Sequence, residues 1–215
     1  MAPCLVLDVY IAPGSDMTQQ MFQNHMDWID FVYGVPGTFW GGQSPNSCRF
    51  DIRWRFRDPN DSQKPVMANI AGPVVNRGGI QCGPTFDQYN DNLKFWLSQR
   101  PTGPGPWGVT DKTDIAVYYI QGPFAGGADG CAPFYTPSGQ AIVISNADPG
   151  FTRGGMTLAH ELGHVLLSYA IQPPDNQHSD DPNNLMFRTT VNTAFHLTPE
   201  QCNIMRNSPV FKDCQ

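Results

Sequence analysis

Hydrophobic positions along the chain switch between two periods, and each switch marks an element. Leu5 to Ile11 is rich in strand formers and closed by Ala12-Pro13-Gly14, which predicts an opening strand. From Asp16 onward Met21, Phe22, Met26, Ile29, Val32 and Tyr33 recur at helical spacing as far as Gly34, so a helix is expected there. Cys48 to Arg57 alternates, with Phe50, Ile52, Trp54 and Phe56 on one side and Arg49, Asp51, Arg53, Arg55 and Arg57 on the other. That is the pattern of a half-buried strand. Thr85 caps a second predicted helix bearing Phe86, Tyr89, Leu93, Trp96 and Leu97. Asp114 to Ile120 is apolar on both faces and predicts a central strand, and Ala141 to Ser145 predicts another. Thr198-Pro199-Glu200-Gln201 reads as a helix start, with Thr198 as cap and Gln201 closing a capping box.

The stretches between are loops: 34–47, 58–83 (with a short strand around 66–70), 101–108 and 122–139. Their share is large because Gly and Pro number 21 and 20 in 215 residues. Net charge is −6 and Lys is scarce, which argues against a nucleic-acid partner and against adsorption to anionic lipid. The four Arg of the alternating strand favour a solvated face paired with nearby Asp over an acidic partner. No apolar run approaches a membrane span, and Met1-Ala2-Pro3 leads straight into the first strand without a secretory signal or pro-segment, as expected either of a protein made without one or of a mature domain behind an added Met. Six cysteines without a C-x-x-C argue against structural zinc and allow up to three disulfides, of which Cys202–Cys214 is the expected one. An even count in a Lys-poor, loop-rich chain points to a secreted, extracellular protein.

The chemistry concentrates in Met156-Thr157-Leu158-Ala159-His160-Glu161-Leu162-Gly163-His164-Val165-Leu166. On a helix His160 and His164 project from one face, one turn apart, and can reach one metal ion, with Glu161 beside the first ligand. No other charge occurs between Arg153 and Asp175, so this helix is set for burial. Buried polar groups of this kind need a cation or hydrogen bonds. A catalytic zinc site takes three protein ligands and one open position. Only two Glu exist, and Glu200 is explained as a first-turn acid on the C-terminal helix. His25 falls on an amphipathic stretch as a surface or core histidine. His178 and His196 remain as third-ligand candidates, and Pro173-Pro174 should end the helix and let the polar loop bearing His178 return to the metal.

His178-Ser179, followed by Met186 in Asn184-Leu185-Met186, resembles the third ligand and Met-turn of the metzincin zinc peptidases, the matrix metalloproteinase type in particular. The resemblance implies zinc on His160, His164 and His178, Glu161 as general base and Met186 as a hydrophobic floor beneath the metal. It departs from the family's H-E-x-x-H-x-x-G-x-x-H, because Leu167 stands at the Gly position, Ala170 at the third His, and thirteen residues lie between His164 and His178. It covers about residues 140–187. The implied fold is α+β and zincin-like: a twisted mixed sheet with a backing helix and the active-site helix in an N-terminal lobe, and a small irregular C-terminal lobe ending in a helix. One catalytic domain is expected over 1–215, divided as 1–165 and 166–215. The family also implies that the strand before the active-site helix is an edge, so that Ala141, Ile142, Val143 and Ile144 would pair with substrate backbone.

The expected activity is zinc-dependent endopeptidase action on a protein or peptide, by a monomer without nucleic-acid or membrane partners. Zinc would acidify a water and polarise the scissile carbonyl, and Glu161 would take the proton. Where some metzincins place a Tyr two residues after the Met, Arg188 stands here. Two other readings share the motif: a zinc amidohydrolase on a formyl or other non-peptide substrate, since Gly130-Cys131-Ala132 resembles the Cys-ligand segment of deformylases, and a silent zincin-fold binding domain. Asp129 and Asp148 belong to no ligand-spaced series of carboxylates, so Ca2+ is not expected.

Overall fold

A computed structural model describes residues 3–11, 15, 17–34, 48–56, 81–82, 88–91, 93–94, 114–120, 124, 129–133, 140–145, 151–171, 177–189 and 193–213. Its strands are β1 (Cys4–Ile11), β2 (Asp51–Phe56), β3 (Ile115–Ile120), β4 (Gly130–Cys131) and β5 (Ala141–Ser145). Its helices are α1 (Gln19–Tyr33), α2 (Phe151–Leu167) and α3 (Pro199–Arg206).

The five strands form one sheet in the order β2-β1-β3-β5-β4, with β3 central as its two-sided apolar sequence requires. β1, β2, β3 and β5 run parallel, and β4 alone is antiparallel. Alternation along each strand then sorts the core into two layers. Leu5, Leu7, Val9, Ile115, Val117, Tyr119, Ile142 and Ile144 join the apolar faces of α1 and α2 on one side. Tyr10, Ala116, Tyr118, Ile120, Ala141 and Val143 join Tyr89, Leu93 and Phe124 on the other. Each fully buried aliphatic side chain in such a layer contributes about 1.5–3 kcal/mol.

Local chemistry shifts several expected boundaries. α1 begins at Gln19, because Thr18 Oγ1 accepts from the Met21 amide at 3.2 Å, and it ends at Gly34. The alternating strand starts at Asp51, because Arg49 adopts φ 56° and breaks the extended run. Of the second expected helix, Tyr89 and Leu93 are buried, and Asn90 Oδ1 accepts from the Leu93 amide at 3.0 Å. Thr85, Phe86, Trp96 and Leu97 lie outside the described residues, as do the short strand expected at 66–70 and residues 35–47.

Two expectations are corrected. β5 is not an edge: β4 pairs with it, placing Gly130 opposite Ile144 and Cys131 opposite Val143. The edge belongs to a two-residue strand of Gly and Cys that no hydrophobic period announces. Cys202 bonds Cys48 rather than Cys214, since α3 packs against the entry to β2, where Arg206 also donates to the Cys48 carbonyl at 3.0 Å. A second disulfide joins Cys82 to Cys131, and Cys4 is disulfide-bonded as well. No described helix is long and apolar enough to cross a membrane.

The arginines of β2 pair with aspartates. Arg53 meets Asp51, and Arg55 donates to Asp8 at 2.6 Å and to Asp114 at 2.5 Å. Lys212 also meets Asp114, and its amide bonds the Cys4 carbonyl at 2.8 Å, tying the end of the described chain to β1.

Candidate metal centre

α2 carries the histidine pair into the interior. Met156, Leu158, Ala159, Leu162, Val165 and Leu166 are all buried, so the helix is fixed on several sides and the two rings have little freedom. His160 and His164 sit one turn apart with ring centroids 4.7 Å from each other. The His178 ring stands 5.5 Å from that of His160 and 4.8 Å from that of His164. The three histidines offer ligand atoms that all lie within 4.8 Å of one another. His196 is not among them: it is exposed, and its ring leans on Phe195. His25 is a core residue, buried and sharing a 3.0 Å hydrogen bond with Tyr119 Oη, and burial lowers it to about 4.

The tautomers follow from the partners. His160 Nδ1 lies 2.7 Å from the Leu185 carbonyl, and His164 Nδ1 lies 2.6 Å from Gln177 Oε1. Gln177 Nε2 donates to the Ile171 carbonyl at 2.8 Å, which fixes the amide with its oxygen toward the ring. Both acceptors require Nδ1–H, so each Nε2 presents a lone pair. Those two Nε2 atoms face each other at 3.1 Å. Burial pushes His160 down to about 4 and His164 to about 3, so neither ring carries a proton to bridge the gap near neutral pH. Two lone pairs at this distance repel unless a cation lies between them. Tetrahedral zinc with bonds of about 2.0–2.1 Å would set its nitrogens about 3.3 Å apart. The donor set fits such an ion. His178 is half-buried, and burial, then the charge of Arg188, holds it below its ordinary value, which also keeps it a lone-pair donor.

Glu161 is buried beside the cluster. Burial raises its carboxyl to about 8, against a smaller opposing pull from the Ala132 amide that donates to it. Met186 is fully buried, its sulfur against Gly163 of α2. Any side chain at 163 would collide with that sulfur and crowd Tyr33 Oη, itself donating to the Ala159 carbonyl at 2.7 Å.

The loop bearing His178 and Met186 is closed on itself and onto α3. Ser179 N donates to the Met186 carbonyl at 2.7 Å, and Asn184 Oδ1 accepts from the Met186 amide at 2.9 Å. Asn184 and Gln201 exchange two amide hydrogen bonds, at 2.9 and 3.2 Å. Gln201 also completes the capping box with Thr198, as its position in the sequence suggests. Ala141, Ile142, Val143 and Ile144 are buried in β5, and β4 lies along the outer side of Val143 and Ile144.

Sequence reasoning missed Gln177, the Leu185 carbonyl, Gly163, Gly130 and Ala132. Gln177 had a signal, an amide directly preceding a candidate ligand. The others act through backbone atoms or through the absence of a side chain.

Among solved structures, the chain is similar to metalloproteinase-II from Bacteroides fragilis, with a TM-score of 0.54 at 15% identity over 94% of this chain. The chain shares the fold of a bacterial metalloproteinase. It covers 52% of that protein's length. No protein-family model and no curated protein matches the sequence.

Proposed function

We propose that the protein is a zinc-dependent endopeptidase of the metzincin type. The observation that carries this reading is the pair of Nε2 lone pairs held face to face, with His178 closing the triangle and a buried carboxyl alongside. His160, His164 and His178 hold the metal, and Met186 is the floor beneath them. Zinc on these ligands supplies Lewis acidity, making water acidic enough to attack near neutral pH and polarising a carbonyl. Glu161 accepts the attacking water's proton on its carboxylate and delivers it to the leaving amine nitrogen. The substrate is a protein or peptide segment laid along the β4 edge by backbone pairing, a role moved here from residues 141–144. The disulfides suit an oxidising, extracellular setting.

Cys131 weighs against a deformylase-like amidohydrolase, since a sulfur bonded to Cys82 offers no thiolate to a metal. The contact made by Glu161 with Ala132 weighs against a silent binding domain, which has no need of a held carboxylate.

The test is casein digestion alongside metal analysis. The wild-type protein should carry about one zinc and lose activity to a chelator, and Glu161→Ala should keep its zinc while activity falls about a hundred- to ten-thousand-fold. Undiminished cleavage by Glu161→Ala sinks the reading.

A further inference from the structure

Two residues of the β4 segment, Gly130 and Ala132, converge on one side chain. Gly130 lies so close to α2 that a methyl group there would come within 2.6 Å of Thr157 Cγ2, 2.8 Å of Glu161 Cγ and 2.9 Å of Glu161 Oε1. Ala132 donates its amide hydrogen to the Glu161 carboxylate. Cys131, between them, is buried and bonded to Cys82, which is exposed. Only two residues of β4 are in the sheet, paired with Ile144 and Val143. Such a short edge is held weakly by its ladder alone. The disulfide is a covalent anchor at its centre.

We propose that the Gly130–Ala132 segment, pinned by the Cys82–Cys131 disulfide, is the positioning element for the Glu161 carboxylate. This rests on the assignment of Glu161 as general base. Gly130 supplies the close approach, Ala132 the hydrogen bond, and the disulfide the rigidity that keeps both in place. None of the three is a catalytic residue. They act by fixing where the proton acceptor stands, and a displacement on the order of 1 Å costs a reaction about a hundredfold.

The experiment compares purified, zinc-loaded variants on one peptide substrate, with kcat, KM, zinc content and Tm measured for each. Gly130→Ala pushes on Glu161 directly, and Cys82→Ser/Cys131→Ser removes the anchor. Cys48→Ser/Cys202→Ser removes a disulfide away from Glu161 and is the control. The first two should lose about 10–100-fold in kcat while KM and zinc content stay within about twofold of wild type. The control should lower Tm and leave kcat intact at a temperature where it is folded.

An unchanged kcat in Gly130→Ala overturns the proposal, as does a kcat loss that tracks zinc loss. Equal kcat loss in both disulfide variants also overturns it, since that is what general destabilisation gives. If the double serine variant does not fold, Gly130→Ala decides alone. Failure of the parent reading is separately visible, because Glu161→Ala would then remain active.

Discussion

At the scale of single residues, the centre is governed by which nitrogen carries a proton. Gln177 and the Leu185 carbonyl fix that choice for His164 and His160, and burial keeps both rings neutral. Glu161 supplies a test with a definite sign. In metal-free protein its carboxyl stands near 8 when folded, against an ordinary value of 4.5. Between those values the folded state keeps a proton that the unfolded state has released. This contribution to stability is therefore complete below pH 4.5 and is lost as pH rises through about 8. The Tm of metal-free protein should fall between about pH 6.5, above the range in which the lowered buried histidines add an opposing slope, and about pH 8, and Glu161→Gln should flatten that fall. Zinc loading should flatten it too, by placing positive charge beside the carboxylate. A slope that persists in Glu161→Gln would assign it to another group. The histidine pair and the glutamate were legible in the sequence because a period of four on a charge-poor helix is a side-chain pattern. The Leu185 carbonyl and the Ala132 amide were not, because every residue but proline offers the same two backbone groups.

At the scale of elements, α3 does more than close the chain. Its first turn is stabilised by a capping box, and the same Gln201 reaches across to Asn184, whose other bond holds the Met186 amide. The helix N-terminus and the loop bearing Met186 therefore share one side chain. Gln201→Ala should remove the cap partner and leave Asn184 half-satisfied, costing about 1–3 kcal/mol in urea unfolding. It should also weaken zinc binding by about tenfold, since Leu185, which orients His160, lies between Asn184 and Met186. A stability loss with zinc affinity untouched would separate the two roles. The cap itself was readable from Thr198-Pro199-Glu200-Gln201. Its second partner was not, because a contact seventeen residues away leaves no local trace. β4 escaped notice for a related reason: two residues cannot display a period, and Gly130 and Cys131 become a strand only by pairing.

At the scale of the whole molecule, the sheet buries two carboxylates at one place. Asp8 on β1 and Asp114 at the start of β3 are inaccessible to solvent and are met by Arg55 from β2 and Lys212 from beyond α3. The cluster joins three strands and the last described residues through opposite charges. Both cations are partly exposed, so removing a carboxylate leaves them able to hydrate, which limits the loss. Asp114→Ala should lower unfolding stability by about 2 kcal/mol, with zinc content unchanged. A change below about 0.5 kcal/mol would mean that hydration replaces the pairing in full. The alternating arginines of β2 had announced aspartate partners, and the central place of β3 was evident from its apolar run on both faces. Disulfide connectivity was hidden, since it depends on which distant surfaces meet.

The Cys48–Cys202 bond spans 154 positions of sequence, and both histidines of α2 as well as His178 fall inside that interval. A molecule nicked anywhere within it therefore stays in one covalent piece until a reductant arrives. Under the peptidase activity proposed above, cuts that one copy makes in another within that interval would be scars that do not shed α3.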